Sequence, residues 1–247
     1  MSTLLFLHGV GGGRAAWDRQ VPYFGALGHR ALAWDQPGYG GTALVDPYDL
    51  EQLAAALRRL IESLAGEPVV LVGHSMGGFV AQEAYARFPH LVKALVLGFT
   101  SPSFGGGRQD FIDKFIAARI APLDEGRSMA EVAASLMPAM RGSKSQPEAL
   151  AHAGRIMGAI PPATYRKAVQ LLTTFERRAQ LPSICVPTLV IAGSDDRVAP
   201  ANVMEHMARK IPGAEYVLLE GCGHLGPMDQ PDPFNEALRG FLERCKL

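Results

Sequence analysis

Three residues far apart in the chain carry the chemistry of a nucleophilic displacement: a serine, an imidazole and a carboxylate. Ser75 lies in Gly73-His74-Ser75-Met76-Gly77-Gly78, after the apolar run Val69–Val72 and ahead of Phe79-Val80-Ala81-Gln82-Glu83-Ala84-Tyr85. A G-x-S-x-G pentad between a strand and a helix turns the chain sharply enough to lift a hydroxyl above the sheet. Gly73 and Gly77 leave room for that turn. The helix that follows aims its N-terminus at the hydroxyl, where negative charge develops. A glycine-rich turn with an incidental serine is the bland alternative, and the strand–turn–helix setting weighs against it.

A serine hydroxyl is a weak nucleophile at neutral pH and needs a base. Of the seven histidines, His224 in Gly221-Cys222-Gly223-His224-Leu225 follows the last expected strand and precedes the C-terminal helix. That is a loop at the strand ends, where ligands sit in open α/β sheets. His29, His90, His152 and His206 fall in helices or helix-end turns and read as solvated surface. His8 and His74 flank the motifs at strand ends and read as structural hydrogen-bonding groups. The acid should follow a strand between Ser75 and His224. Thr188–Ala192 leads into Gly193-Ser194-Asp195-Asp196-Arg197-Val198-Ala199-Pro200. Asp196 is the choice and Asp195 the alternative, the other being a turn aspartate. A second place, after Gly98-Phe99-Thr100, offers no carboxylate until Asp110.

An acyl transfer also needs donors for the developing oxyanion. Leu4–Leu7 ends in His8-Gly9-Val10-Gly11-Gly12-Gly13, and the backbone N–H groups of Val10 and Met76 are the expected pair. Losing one such donor costs on the order of 3 kcal/mol in the barrier. The same segment has a rival reading. Gly11-x-Gly13-x-x-Ala16, with Asp35 further on, resembles a dinucleotide fingerprint. No tyrosine has a lysine four residues on, as a short-chain dehydrogenase would require. That reading also leaves Ser75, Asp196 and His224 unexplained, so no cofactor is expected and Asp35 reads as a loop brace. Cys185, Cys222 and Cys245 form no CxxC pair, so no metal site is expected and a reducing compartment fits.

The elements that must position these groups alternate. Short apolar runs at Leu4–Leu7, Ala31–Trp34, Val69–Val72, Leu91–Leu97, Thr188–Ala192 and Tyr216–Leu219 predict buried parallel strands. Helical stretches such as Leu50–Leu64 and Gly78–Arg87 lie between them. This predicts an α/β fold with helices on both faces of the sheet. The alternation breaks from about Thr100 to Gln180, where helices are predicted at Gln109–Ile120, Met129–Met140, Glu148–Met157 and Pro162–Ala179, with no strand. Pro102, Pro122, Pro138, Pro147, Pro161 and Pro182 punctuate them. The expected organisation is a core domain of residues 1–99 and 181–247 with a helical cap, or lid, at 100–180.

The 247 residues suit one such domain, and a 48% apolar composition supplies its core. Lys+Arg and Asp+Glu both total 24, so nucleic acid is not an expected partner. No apolar run approaches the roughly 20 residues of a membrane span. The Met1-Ser2-Thr3 start lacks the basic residues of a secretory signal. A soluble, cytoplasmic protein without a membrane partner is the expectation.

Five segments in order carry a resemblance over nearly the whole chain: His8-Gly9-Val10-Gly11, Asp35-Gln36-Pro37-Gly38-Tyr39-Gly40, Gly73-His74-Ser75-Met76-Gly77-Gly78, Gly193 to Pro200, and Gly221-Cys222-Gly223-His224. The chain resembles the α/β-hydrolase superfamily, and within it looks most like small capped esterases and 3-oxoadipate enol-lactonases. The resemblance implies a catalytic triad of Ser75, Asp196 and His224, the family's Gly-x-x-Asp-x-x-x-Pro pattern placing the acid at Asp196. It implies a serine esterase or lactonase acting on a small-molecule ester or lactone through an acyl-enzyme. Family members usually have a β-hairpin ahead of the first strand, and here that strand starts at Thr3. A mostly parallel sheet of about six strands is therefore expected, with the N-terminal hairpin missing. The uncovered edge could be met by a second subunit, giving a homodimer. Haloalkane dehalogenases and epoxide hydrolases of this fold carry a carboxylate at the elbow, which Ser75 excludes.

Alternatives within the fold are a carbon–carbon bond hydrolase of a ketonic substrate and a small-molecule receptor that keeps the triad. For the substrate pocket, Trp17 and Phe99 are the expected flanking residues, with core packing as the rival reading of each. Residues 100–180 hold 11 Lys+Arg and seven Asp+Glu, so the cap segment is +4 and the rest of the chain −4. Solvated helix faces are the favoured reading of that excess. A cap that attracts an anionic substrate through Arg108, Arg119, Arg127 and Arg155 is the other.

Overall fold

A computed structural model of the protein describes residues 1–64 and 67–247. Six parallel strands, β1 (Thr3–Leu7), β2 (Arg30–Trp34), β3 (Val69–His74), β4 (Val92–Gly98), β5 (Thr188–Gly193) and β6 (Glu215–Leu219), form one sheet in the order β2-β1-β3-β4-β5-β6. The Val, Leu and Ile runs form strands because the sheet is buried on both faces, as helical crossovers require. Side-chain alternation then splits each run between two layers. Leu5, Leu7, Leu71, Leu95, Leu97 and Val190 face one way, against α2 (Leu50–Ser63), α3 (Met76–Arg87) and α8 (Ala201–Lys210). Leu4, Phe6, Val70, Val72, Val96 and Ile191 face the other, against α1 (Gln20–Ala26) and α10 (Pro231–Arg244). The edge strands β2 and β6 are only half-buried.

Helix α2 shows how local sequence sets an element. Asp49 caps it by accepting from the Gln52 N–H at 2.8 Å. Leu50, Leu53, Ala54, Leu57 and Ile61 recur at the spacing of one helical face and are the buried ones.

Between β4 and β5 the chain runs through α4 (Gln109–Asp124), α5 (Met129–Met140), α6 (Pro147–Gly158) and α7 (Pro162–Leu172). Ser128 and Glu131 form a reciprocal capping box at the start of α5. Pro122 and Pro138 lie inside α4 and α5 rather than ending them. Each sits in the last turn, where a missing N–H forfeits one hydrogen bond and the helix is about to stop. The expected long helix over Pro162–Ala179 ends at Leu172 instead. The Thr173 and Thr174 hydroxyls donate to the Gln170 and Leu171 carbonyls there. The chain then runs back extended, with Ser103 and Glu176 bridged antiparallel, before a 3-10 turn at Arg178–Ser183. The Phe104 N–H donates to Phe175 O at 3.0 Å and the Arg177 N–H to Pro102 O at 2.8 Å. These bonds join the entry and exit of the insert into a stem.

The insert packs mainly on the core domain, with a small cluster of its own at Met140 and Ala153 that takes in Leu225. Val132, Met157, Tyr165, Val169, Leu172 and Phe175 belong to the same buried cluster as one face of the sheet. Phe175 stacks on Phe79 of α3 with ring centroids 4.0 Å apart. A short helix α9 (Gly226–Asp229) follows the β6 loop. Among the described residues no helix is long and apolar enough to cross a membrane.

One polar contact ties the stem to α3. Glu83 is buried and pairs with Arg87 at 2.5 Å and with Arg177, whose Nε lies 2.8 Å from it. Arg87 keeps a second carboxylate, Glu51 at 2.9 Å, so removing the charge leaves chiefly the Arg177 guanidinium short of an acceptor. Glu83→Gln is expected to lower the unfolding free energy by about 2 kcal/mol. In a chain of this length that is roughly a 5 °C drop in melting temperature. Thermal melts of the two proteins check this, and an unchanged melt would show that the stem is held without Glu83.

Candidate active site

The site is assembled at the carboxyl ends of the strands, where three loops and the insert meet. Ser75 leaves β3 in the left-handed region, φ 53° and ψ −119°. That conformation is strained for a residue with a side chain. Its backbone is held from three directions: its N–H donates to Gly98 O at 3.0 Å, while its carbonyl accepts from the Gly78 N–H and the Thr100 hydroxyl, both at 2.8 Å. The tightness of the turn dictates the glycine after it. A Cβ on Gly77 would stand 2.0 Å from Leu7 O, so α3 can cross β1 this closely only with hydrogen in that place.

His224 and Asp196 come to Ser75 from two other loops. His224 Nε2 lies 3.0 Å from Ser75 Oγ, and His224 Nδ1 lies 2.8 Å from Asp196 Oδ2. The other carboxylate oxygen accepts the Val198 and Ala199 N–H groups at 2.7 and 2.9 Å. One carboxylate oxygen of Asp196 is thus held by its own loop and the other faces the imidazole. Burial acts to raise the Asp196 carboxyl, but the His224 charge and these hydrogen bonds outweigh it and hold it below the usual carboxylate range. A carboxylate so placed fixes the imidazole as the Nδ1–H tautomer and leaves Nε2 free to accept the serine proton. Asp195 points elsewhere. Its carboxylate accepts the Ser143 N–H of the insert at 2.7 Å and the Ser194 hydroxyl at 3.0 Å. That partner lies 52 residues away, so Asp195 is more than a local turn residue.

The insert also holds the histidine loop. The His224 N–H donates to Met140 O at 2.9 Å and the Lys144 N–H to Gly221 O at 3.0 Å. A Cβ on Gly223 would meet Met140 O at 2.3 Å, so the two backbones cross in near contact. Beneath, the buried His74 Nε2–H donates to His224 O at 2.7 Å.

On the opposite wall, the loop after β1 presents Val10. The Val10 N–H and the Met76 N–H find no acceptor among the described residues. Their loop is braced by groups that the sequence reading passed over. Tyr39 donates its hydroxyl to Val10 O at 3.0 Å. Gln36 donates its backbone N–H to His8 Nε2 at 3.2 Å and its side-chain amide to His8 O at 2.6 Å. His8 Nδ1 therefore carries the proton and donates to Gly9 O at 2.8 Å. Asp35 accepts the Arg14 N–H at 2.7 Å and braces the same loop from outside.

Ser75 and His224 open into a cavity of about 80 Å³. Phe79, Phe99 and Leu225 line it from the core, and Phe104, Phe115, Met137, Met157 and Leu172 from the insert. Of the two aromatics expected beside the site, Phe99 lines the cavity. Trp17 does not line it: it is buried and packs on Phe6, Phe234 and His74 at centroid distances of 5.0, 6.1 and 6.4 Å. Its indole follows the glycine loop in sequence, yet its turn points it under the sheet. Of the four insert arginines singled out, only Arg119 lines the cavity. Arg127 pairs with Glu125, and Arg108 lies over the ring of Phe111. Tyr165, unremarked in the sequence, also lines it. Cys222 is buried, and burial with the nearby Asp229, Asp196 and Asp195 pushes its thiol up to about 12, so it is no competing nucleophile. No group of three or more His, Cys, Asp or Glu among the described residues is placed to hold a metal ion.

Comparison with known proteins agrees with this architecture. A family model described as the alpha/beta hydrolase fold matches residues 2–231. A protein of Stutzerimonas stutzeri named as a carbamate hydrolase, RutD, is 30% identical over 98% of this chain and 92% of its own length. One of Mycobacterium tuberculosis named as a non-heme bromoperoxidase, BpoC, is 29% identical over 98% of this chain and 94% of its own. Among solved structures, a thermophilic esterase from Thermogutta terrifontis with malate bound superposes with a TM-score of 0.89 at 25% identity, covering 99% of this chain and 90% of that one.

His8 and His74 give the site a measurable pH signature. Burial lowers His8 to about 4 and, with the neighbouring His224 charge, His74 to about 3. An unfolded histidine titrates near 6.5. Between about pH 4 and 6.5 the unfolded chain therefore binds protons that the folded chain does not, and stability falls as pH drops through that window. Each histidine is expected to account for about 2 kcal/mol of the loss between pH 7.5 and 5. Denaturant melts of wild type and His74→Gln at the two pH values check this. An equal loss in both proteins would mean that His74 takes up its proton in the folded state.

Proposed function

The chain belongs to the alpha/beta hydrolase fold family, an enzyme of the hydrolase class, and on that premise we propose that it is a serine hydrolase cleaving carboxylic ester or lactone bonds of a small molecule. The observation that supports this is the unbroken hydrogen-bond path from Ser75 Oγ through His224 to Asp196. It ends at the floor of a largely apolar cavity, near the Val10 and Met76 backbone N–H groups, which have no acceptor among the described residues.

In the proposed reaction His224 Nε2 accepts the Ser75 proton as Oγ attacks the substrate carbonyl carbon. The carbonyl oxygen becomes an oxyanion and receives the Val10 and Met76 N–H groups, with the N-terminus of α3 behind it. Asp196 stabilises the imidazolium. His224 then returns the proton to the leaving oxygen, and the acyl group stays on Ser75. Water, deprotonated by the same imidazole, attacks the acyl carbon; the Oγ–carbon bond then breaks, His224 gives the water's proton to Ser75 Oγ, and the acid is released. The proton that left with the leaving oxygen is thus replaced from water, and no cofactor enters the balance. The helical insert at 100–180 acts as the lid that supplies the apolar walls. A cavity of about 80 Å³ is far smaller than the roughly 300–1,000 Å³ of drug-sized sites, which favours a short acyl group.

The test is a hydrolysis screen over p-nitrophenyl acetate, butyrate and octanoate, simple lactones and a phenyl carbamate. Acetate and butyrate are expected to exceed octanoate in kcat/KM by at least tenfold. Preference for octanoate would show that the lid opens well beyond this cavity, and turnover of the carbamate alone would move the bond class. Ser75→Ala is expected to lose at least 10³-fold in turnover, on the order of a missing covalent step, and a fluorophosphonate probe should label Ser75 in the wild type. Asp196→Asn is expected to lose on the order of 10⁴ in kcat, while Asp195→Asn loses less than about tenfold, its carboxylate serving the Ser143 N–H. Full activity in both aspartate variants would remove Asp196 from the mechanism.

A further inference from the structure

The polar lining of the cavity beside Ser75 comprises His74, Ser75, His224, Thr100 and Ser101, the last two with their hydroxyls bonded to carbonyls, and two further groups of the insert helices, neither of which has a partner that accounts for it. Arg119 of α4 is half-buried and lines the cavity. Its guanidinium carbon lies over the Phe115 ring, 3.6 Å from the centroid. One edge N–H reaches its own helix at Phe115 O, at a long 3.4 Å. No carboxylate pairs with it among the described residues, although Arg87, Arg127, Arg166, Arg177 and Arg178 nearby in the fold all have one. Tyr165 of α7 is fully buried, lines the same cavity, and its hydroxyl has no hydrogen-bond partner.

Both features cost free energy in the empty protein. A guanidinium drawn out of water without a counter-charge is poorly compensated, and a buried hydroxyl without an acceptor gives up one to a few kcal/mol. Buried polar groups are almost always satisfied. Stacking on Phe115 occupies the face of the guanidinium and leaves its edge, the fork of N–H donors that matches a carboxylate. Burial pushes the Tyr165 phenol up to about 12, the Arg119 charge partly opposing it, so at neutral pH the hydroxyl is a donor. A cation and a neutral donor facing one apolar cavity select an acceptor that carries negative charge.

We infer that Arg119 and Tyr165 form an anion-binding subsite, and that the substrate is a short ester bearing a free carboxylate that lodges between them while its ester carbonyl lies at Ser75. The inference rests on the hydrolytic reading for the position of the ester, but the subsite itself does not need turnover to be detected. It also reassigns the positive charge of the insert. The arginines other than Arg119 considered above are paired or lie outside the cavity, so recognition falls to one guanidinium at short range rather than to a diffuse field.

The experiment compares monoethyl glutarate with ethyl pentanoate, which share chain length and differ in the terminal carboxylate, by pH-stat titration. It runs in wild type, Arg119→Gln, Arg119→Lys and Tyr165→Phe, each checked by thermal melt. The ratio of kcat/KM for the acid ester over the neutral ester is expected to fall at least tenfold in Arg119→Gln. It should fall about threefold in Tyr165→Phe and be partly kept in Arg119→Lys, which retains charge but not the fork. In parallel, glutarate is titrated calorimetrically into wild type and Arg119→Gln, with binding expected only in the first. A ratio unmoved in both Arg119 variants, or glutarate bound equally well by wild type and Arg119→Gln, overturns the subsite while leaving ester hydrolysis standing. If the wild type cleaves neither ester and Ser75 resists the fluorophosphonate, the hydrolytic reading fails. The glutarate titration then still decides the subsite: Arg119-dependent binding supports it, and no binding to wild type overturns it.

Discussion

Ser75 occupies a backbone conformation that costs roughly 1–3 kcal/mol, and its surroundings exist to hold it there. Three hydrogen bonds, from Gly78 and Thr100 to its carbonyl and from its own N–H to Gly98, leave the peptide no lower-energy alternative. The strain is maintained by close packing: α3 crosses β1 at a distance that only a glycine permits. The rigid sheet serves as the anvil. The central strand β3 is buried along its whole length, so the turn between β3 and α3 cannot relax by bending the strand beneath it. The loops bearing His224, Asp196 and Val10 then converge on a hydroxyl whose position is already fixed.

This is why the segments that bring Ser75, Asp196 and His224 together could be read from the chain. Their signals are local, each being a few residues of fixed type at a strand end, and strand ends are marked by the switch from Val and Leu runs to glycine and aspartate. The six strands were legible for the same reason. The insert was less so. Pro122 and Pro138 look like helix stops, yet in a final turn proline is tolerated. The end of α7 depends on two threonine hydroxyls turning back on the carbonyls of the last turn, which no periodicity reveals. The pairing of Ser103 with Glu176 joins residues some seventy positions apart.

Side chains that matter through burial were the hardest to find. Trp17 and Phe99 are both large aromatics next to a motif, and sequence offers no way to tell them apart. The structure sends one under the sheet and the other to the cavity wall. The arginines of the insert are equally alike on paper. What distinguishes Arg119 is that it lines the cavity and has no carboxylate beside it among the described residues, a property of packing that no residue type announces. Gln36 and Tyr39 lie in a segment that reads as a turn, and their role appears only when β2 is placed beside β1.

The insert is fastened at two places. Its stem is closed by the bonds between residues 102–104 and 175–177, and the segment from Met140 to Lys144 is laced to the loops carrying Asp195 and His224. A module attached by its stem alone could be exchanged between relatives as a cassette, each bringing its own pocket to a standing triad. Here the insert and the loop bearing His224 are fitted backbone to backbone, so that neither can be replaced without the other. A recombination breakpoint at the stem would import a foreign backbone against Gly221 and Gly223, where there is no slack. Diversification of the pocket in this lineage must therefore proceed by point substitution on the faces of α4 to α7, or else carry the histidine loop along with the insert.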